Sequence, residues 1–308
     1  MILVTGASGL LGASFVSSAH EQRREVIGLY HRHAACVRGV KCFPIDLADV
    51  KETTRLIENL SPSAVIHCAA ATDVDWCEEH PREVETINVT ASAVIAQVTA
   101  RSGAKLIYIS TDSVFDGRRG NYVETDIPDP VNVYAKSKLR AEKEVLCHHP
   151  GALIARVSIY GWSPRDKESL AEWILNQLSE GNTVSGFADV IFCPLLANDL
   201  AEVLLAMLDQ KLIGLYHVVG SEPISKYEFA KRVASKFGFD PAQVVATCVT
   251  DSELKAQRPR NISLSTAKIS AALGRPMPGV DAGLNKFARL RESGYLESIK
   301  TPLAEVRK

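Results

Sequence analysis

The sequence predicts an α/β protein: a doubly wound parallel sheet with a smaller, interleaved lobe for a substrate. Three observations predict it. The chain opens on an apolar run that closes in a glycine-spaced turn, its first half alternates short apolar runs with helical stretches, and the alternation becomes irregular past residue 160.

The opening run Ile2-Leu3-Val4 leads into Thr5-Gly6-Ala7-Ser8-Gly9-Leu10-Leu11-Gly12. This reads as a buried strand, a tight turn and a helix entry. Gly6 permits the turn, Gly9 lets the main chain approach a pyrophosphate with no Cβ in the way, and Gly12 lets the helix press on its strand. Free backbone N–H groups at the helix start would hold phosphates, so the expected ligand is a dinucleotide.

Further strands are expected near 26–30, 41–45, 64–68, 105–110 and 152–157. Apolar runs without polar alternation suit parallel strands covered on both faces, as in the Rossmann fold. A helix opens at Pro81 and aligns Val84, Ile87, Ala91, Val94 and Val98 on one packing stripe. Beyond 160 we expect a helix near 167–179, a turn region from Gly181 to Gly186, a strand at Val190 to Cys193, a helix near 198–210 and a strand from Leu215 to Val219. The division expected is 1–160 with 190–220 for the dinucleotide, and 161–189 with 221–308 for substrate.

The chain has 308 residues, 46% of them hydrophobic, and a net charge of −1, which supplies no field for nucleic acid or an anionic membrane. Neither partner is expected. No apolar stretch approaches the roughly 18 residues of a membrane span, and no leader is recognised, so a soluble cytoplasmic protein is expected. Its seven cysteines lack a Cys-x-x-Cys pair and suit reduced thiols better than a disulfide frame. His31, His33 and Cys36 cluster, but no second ligand pair follows at a recognisable spacing. We read them as flanking a cofactor and expect no metal.

The strand Leu106 to Ile109 delivers Ser110-Thr111-Asp112-Ser113 to its carboxyl end, where open parallel sheets bind ligands. A loop then leads, past Pro130 and a cap at Asn132, into a helix carrying Tyr134-Ala135-Lys136-Ser137-Lys138. Tyr134 and Lys138 lie one turn apart on one face. An ammonium there is expected to favour phenolate and draw the phenol's pKa down from about 10 toward neutrality. On the order of 0.4 Tyr-x-x-x-Lys pairs arise by chance in this composition, so context must decide. Tyr227 and Lys231 share the spacing without a hydroxyl-bearing strand end before them, and we read that pair as helix surface. Asp112 either orients its neighbours or caps the strand end. For Asn88, a structural hydrogen bond and a role in positioning Lys138 through water are both open.

These pieces resemble the extended short-chain dehydrogenase/reductase family, and within it the reductases that make dTDP-rhamnose from a 4-keto sugar nucleotide. The matching segments are TGASGLLG from 5, DLAD from 46, HCAAATDVDWCEEHP from 67, INVTA from 87, STDSVFDG from 110, NVYAKSK from 132 and RPRNISLSTAKI from 258. The resemblance implies a nicotinamide cofactor held by Gly6, Ser8, Gly9, Leu10, Leu11 and Gly12, with Asp46 and Leu47 near the adenine and Cys68, Ala69 and Ala70 alongside. It implies Tyr134 as proton donor, Lys138 as its partner and ribose anchor, and Thr111 as donor to the reacting oxygen. Thr72 falls on a substrate contact.

NAD-preferring folds place an acid at the end of the second strand; here the segment reads Leu29-Tyr30-His31-Arg32-His33. Arg32 suits a 2′-phosphate, so NADPH is the expected cofactor, with NADH as the alternative. The expected substrate is a nucleotide-activated 4-keto-6-deoxy sugar. Sugar-nucleotide dehydratases of the family carry Thr-Asp-Glu where this chain has Thr111-Asp112-Ser113, which disfavours dehydration. An epimerase would keep the same Tyr and Lys. The rhamnose reductases have Tyr at Ser113 and a Trp within the segment Arg156 to Gly161, so the substrate's class is better indicated than its identity. Trp162, Arg165 and Arg258 are candidates for the nucleotide diphosphate. A non-catalytic NADP-binding subunit of the methionine adenosyltransferase type is the alternative from another class. A homodimer through the helices near 81–101 and 132–147 is expected by the same resemblance.

Overall fold

The computed structural model describes residues 1–165, 167–251 and 253–302. Seven strands form one sheet: β1 (Ile2–Thr5), β2 (Val26–Tyr30), β3 (Lys41–Pro44), β4 (Ala64–His67), β5 (Lys105–Thr111), β6 (Leu153–Val157) and β7 (Gly214–His217). Their spatial order is β7-β6-β5-β4-β1-β2-β3, and every pairing is parallel. The order reverses between β1 and β4, which leaves a crevice outside their carboxyl ends.

Alternate side chains of these strands feed two cores. Ile2, Val4, Ile66 and Ile107 pack on one face with α1 (Leu10–Glu21), while Leu3, Val65, Leu106 and Tyr108 pack on the other with α2 (Val50–Leu60). The continuous apolar runs therefore follow from burial on both faces.

After a short helix at Val74–Glu79 comes α3, which is composite: Pro81–Val84 and Ala91–Ser102 flank a π-helical segment, Glu85–Thr90. That segment rotates the expected stripe. Ile87 is turned outward at 36% exposure and Asn88 is buried in its place. Periodicity alone assumes 3.6 residues per turn, and a π turn breaks that count.

Helix α4 (Val133–His148) starts as expected, with the Asn132 side chain accepting from the Ala135 amide at 2.9 Å. Then come α5 (Leu170–Ser179), α6 (Ala197–Asp209), α7 (Lys226–Lys236) and α8 (Val280–Glu292). A Ser169–Glu172 capping box starts α5 three residues later than the apolar pattern suggested. Short strand pairs lie outside the main sheet, among them Val184–Phe187 beside Val244–Thr247. The expected turn from Gly181 to Gly186 thus gives way to a strand at Val184.

One further expectation is corrected. Cys36 and Cys42 are joined as a disulfide, because the chain between β2 and β3 folds back and brings their Cα atoms to 6.3 Å. Cys68, Cys77, Cys147, Cys193 and Cys248 are free.

Candidate active site

A cleft of about 840 Å³ runs along the carboxyl ends of the strands at the point where the sheet order reverses. Its floor is the first turn. Gly6 sits at φ +66°, and a Cβ there would lie 2.8 Å from the Ala69 amide nitrogen. At Gly12 a Cβ would stand 2.1 Å from the Gly6 carbonyl oxygen, so it is the turn's own backbone, Gly6 and Ala7, that requires this glycine. Gly9 differs: a Cβ would meet only the Gly6 oxygen, at 3.2 Å. The open space belongs to the cleft, so the turn leaves a backbone cradle of the kind a pyrophosphate fills.

Every residue expected to hold the cofactor lines this one cleft: Gly6, Ser8, Gly9, Leu10, Leu11, Gly12, Arg32, Asp46, Leu47, Cys68, Ala69, Ala70, Tyr134 and Lys138. Arg32 is exposed at the mouth between His31 and His33, which also line it. His31 Nε2 lies 3.8 Å from an Asp46 carboxylate oxygen.

Thr111 and Asp112 line the same space from the end of β5. The Thr111 hydroxyl donates to Asp112 Oδ1 at 3.1 Å and accepts from the Ser113 amide at 3.2 Å. It is also hydrogen bonded to the Tyr134 phenol. Its single proton serves Asp112 or Tyr134, not both at once. The other Asp112 oxygen, Oδ2, is buried without a partner. Burial raises the Asp112 carboxyl against the hydrogen bonds from Ser158, Thr111 and Ser113 that lower it.

Tyr134 departs from expectation. Burial pushes the phenol well above its ordinary value, outweighing the hydrogen bond from Thr111. The ammonium yields instead: burial lowers Lys138 to about 7, with Glu142 and Cys68 opposing the fall. Desolvation penalises both charged forms, so sharing a helix face does not produce a phenolate here. Lys138 Nζ lies 4.2 Å from the centre of the Tyr108 ring.

Asn88 is a structural anchor. Its Oδ1 accepts from the Ala71 amide at 2.8 Å, and its Nδ2 donates to the Ala71 carbonyl at 3.2 Å and to Ser137 Oγ at 2.9 Å. It ties the loop after β4 to α4, beside Lys138. Thr72 lies on that loop, lines the cleft, and accepts from Lys167 Nζ at 3.3 Å.

The remaining substrate candidates lie elsewhere. Trp162 is buried, stacks on Phe287 at 4.1 Å and donates its indole N–H to the Phe287 carbonyl at 2.9 Å. Its N–H and ring are thus occupied by packing. Arg258 pairs with Asp75 at 3.1 Å outside the cleft lining, and Ser113 donates to Asp112 at 3.2 Å from outside it too. Arg165 does line the cleft, and its Nε is buried without a partner. The second pair, Tyr227 and Lys231, is half-buried on α7, with Lys231 over the Tyr227 ring and 3.8 Å from Glu228.

Sequence reading missed several groups. Glu142 on α4 is bonded to Arg156 of β6, and the signal was present: a lone arginine in the apolar strand Leu153–Val157 needs a buried partner. His67 bridges Thr5 Oγ1 at 2.7 Å and Ser92 Oγ at 2.9 Å. Lys226 lines a second cavity of about 360 Å³ with Trp173, Phe187 and Thr247, and nothing in its local sequence marks it.

The glycine turn and the Thr111, Tyr134 and Lys138 set therefore meet in one cleft at the carboxyl edge of the sheet. Residues 1–291 match the family described as the RmlD substrate binding domain, and the chain belongs to that family. It is similar to the probable low-salt glycan biosynthesis reductase Agl14 of Haloferax volcanii, 33% identical over 285 residues, covering 91% of this chain and 95% of that one. It is equally similar to methionine adenosyltransferase 2 subunit beta of Danio rerio, 33% identical over 278 residues and covering 87% and 83%. The fold matches the dTDP-4-dehydrorhamnose reductase of Bacillus anthracis solved in complex with NADP, with TM-score 0.82, 27% identity and coverage of 94% and 98%. Among the described residues, no helix is long and apolar enough to cross a membrane.

Proposed function

We propose that this protein is an NADPH-dependent reductase of a nucleotide-activated 4-keto-6-deoxy sugar, a reading close to dTDP-4-dehydrorhamnose reduction. One observation carries it: the glycine turn, Thr111, Tyr134 and Lys138 all line a single cleft. When bound, the cofactor supplies a hydride to the carbonyl carbon. Tyr134, kept protonated by burial, gives its proton to the carbonyl oxygen. Thr111 donates to the same oxygen as charge develops there, which stabilises the transition state rather than the ground state. Lys138 binds the ribose and offsets the phenolate left behind. Arg32 selects the 2′-phosphate.

The sugar would lie between Thr72 and Asp112, with Arg165, whose buried Nε has no partner, available for its phosphates. The substrate lobe is assigned to 161–189 and 221–308. We assign the protein to the cytoplasm as a homodimer through α3 and α4. The exposed side chains there include Arg82, Glu83, Lys136 and Lys143, with Arg140 paired to Glu85, and sedimentation tests the assignment.

The test follows NADPH absorbance with a panel of nucleotide-linked 4-keto-6-deoxy sugars. At least one should be reduced by the wild type, with Tyr134→Phe slower by about 100-fold or more. Equal rates would remove Tyr134 as the acid. A second reading, a regulatory NADP-binding subunit, is favoured by the likeness to the zebrafish β subunit. It predicts no turnover of any sugar, with a methionine adenosyltransferase altered on mixing.

A further inference from the structure

Three side chains occupy successive turns of one face of α4: Tyr134, Lys138 and Glu142. The third lies outside the cleft lining. Glu142 is 4% exposed and Lys138 is 3% exposed, so two opposite charges are buried one turn apart. The Glu142 carboxylate is held rigidly from two strands. Its Oε1 accepts from Ser110 Oγ at 2.5 Å and from Arg156 Nε at 2.9 Å, and its Oε2 accepts from Arg156 Nη2 at 2.7 Å. Arg156 is in turn fixed over the Phe115 ring, 5.1 Å from its centre.

Lys138 has no such partner. Among the described residues no carboxylate lies within 4.0 Å of its ammonium; it shares a helix face with Tyr134 and Glu142, and has His67 and Cys68 near it from β4 and its loop and the Tyr108 ring from β5. Glu142 lies one helical turn from Lys138 on the same face, and its charge raises the lysine against the desolvation that lowers it.

We propose that Glu142 is a positioning residue that keeps Lys138 in its ammonium form, with Ser110 and Arg156 fixing the carboxylate for that purpose. The inference rests on the reading of Lys138 as the cofactor's ribose anchor. Burying an ion pair is weak evidence for stability by itself, since apolar replacements are often as stable. A pair that abuts a buried lysine has a second use: its field opposes the desolvation that would strip the proton.

The sign follows directly. Lys138 sits near 7, so NADPH affinity should weaken as pH rises through about 7 in the wild type. Removing the Glu142 charge lowers Lys138 further, and the alkaline limb moves to lower pH by about one unit or more. Glu142→Gln alone strands the Arg156 charge and risks the fold. The decisive variant is the double Glu142→Gln with Arg156→Met, which leaves no unpaired buried ion.

The assay is NADPH fluorescence titration from pH 5.5 to 9, with melting temperature recorded for each variant. A stably folded double variant with the limb displaced to lower pH supports the proposal, as does restoration of the limb by Glu142→Asp. A stably folded double variant with the wild-type limb overturns it and leaves the pair a structural one. A wild-type affinity that is flat across the range overturns it when the stably folded double variant is flat as well. Lys138→Met separates the two readings. If it leaves affinity and pH dependence intact, the ribose-anchor reading fails; if it abolishes the limb while the double variant does nothing, only the role of Glu142 fails.

Discussion

Gly9 and Gly12 are three residues apart in the same turn, yet alanine should damage the protein in different ways at each. Gly12 lies inside α1, where alanine normally gains about 0.5–1 kcal/mol over glycine. Here its Cβ would stand 2.1 Å from the Gly6 oxygen, 2.7 Å from the Gly6 carbonyl carbon and 2.8 Å from the Ala7 Cα, all backbone. No side-chain rotation relieves that, so an overpacking penalty of about 1–3 kcal/mol or more outweighs the helical gain. At about 2.1 cal/mol/K per residue, a chain of 308 residues loses about 1.5 °C of melting temperature per kcal/mol, so Gly12→Ala should melt about 2–5 °C low or more. At Gly9 the only neighbour is the Gly6 oxygen at 3.2 Å, and the new methyl enters the cleft. Gly9→Ala should therefore melt within about 2 °C of the wild type. It should nonetheless bind NADPH at least about tenfold more weakly, because the methyl takes the pyrophosphate's place. Calorimetry and NADPH fluorescence titration read both effects. Gly9→Ala binding like the wild type would refute the cradle, and an unshifted Gly12→Ala melt would refute the steric account.

Two other outcomes follow from the same geometry. Arg32→Ala should weaken NADPH by about 10- to 100-fold, as expected for a lost charge-assisted contact, while leaving NADH nearly unchanged; equal loss for both cofactors would detach Arg32 from the 2′-phosphate. His67 and His217 are both lowered from 6.5 to about 3, chiefly by burial. Below about 6.5 the unfolded chain takes up protons that the folded one refuses, so their contribution is intact above that pH and is lost as pH falls toward 3. The slope reaches about 2.7 kcal/mol per pH unit for two protons, and denaturant midpoints flat between pH 6.5 and 4.5 would contradict it.

Much of the sheet was legible because its strands are short, apolar and bounded by turns, and both faces are covered. The Rossmann order follows from such βα units, and the strand ends that carry Gly6, Thr5 and Thr111 meet wherever that order reverses. What stayed hidden depended on registers and distances no local pattern encodes. The π turn at Glu85–Thr90 exchanged Ile87 for Asn88, although the residues themselves read as an ordinary amphipathic helix. Trp162 and Arg258 looked like ligand contacts because their types are; the partners that occupy them, Phe287 and Asp75, are 125 and 183 residues away in the chain. Cys36 and Cys42 were read by compartment and count, whereas the fold-back between β2 and β3 decided the outcome.

The misjudged sign at Tyr134 has a simple physical origin. Spacing shows which groups are neighbours, and a neighbouring cation always favours phenolate. Whether it wins depends on how much water both groups lose, and water loss is a property of the assembled fold. In this protein the penalty falls on both members: Tyr134 keeps its proton and Lys138 is drawn to about 7. A protonated phenol is the form a ketone reduction needs, so the correction to the electrostatics strengthens the chemical reading. The burden moves to the ammonium, which must stay charged in a site that disfavours charge. Glu142, itself stabilised by Ser110 and Arg156, is the group in position to meet it.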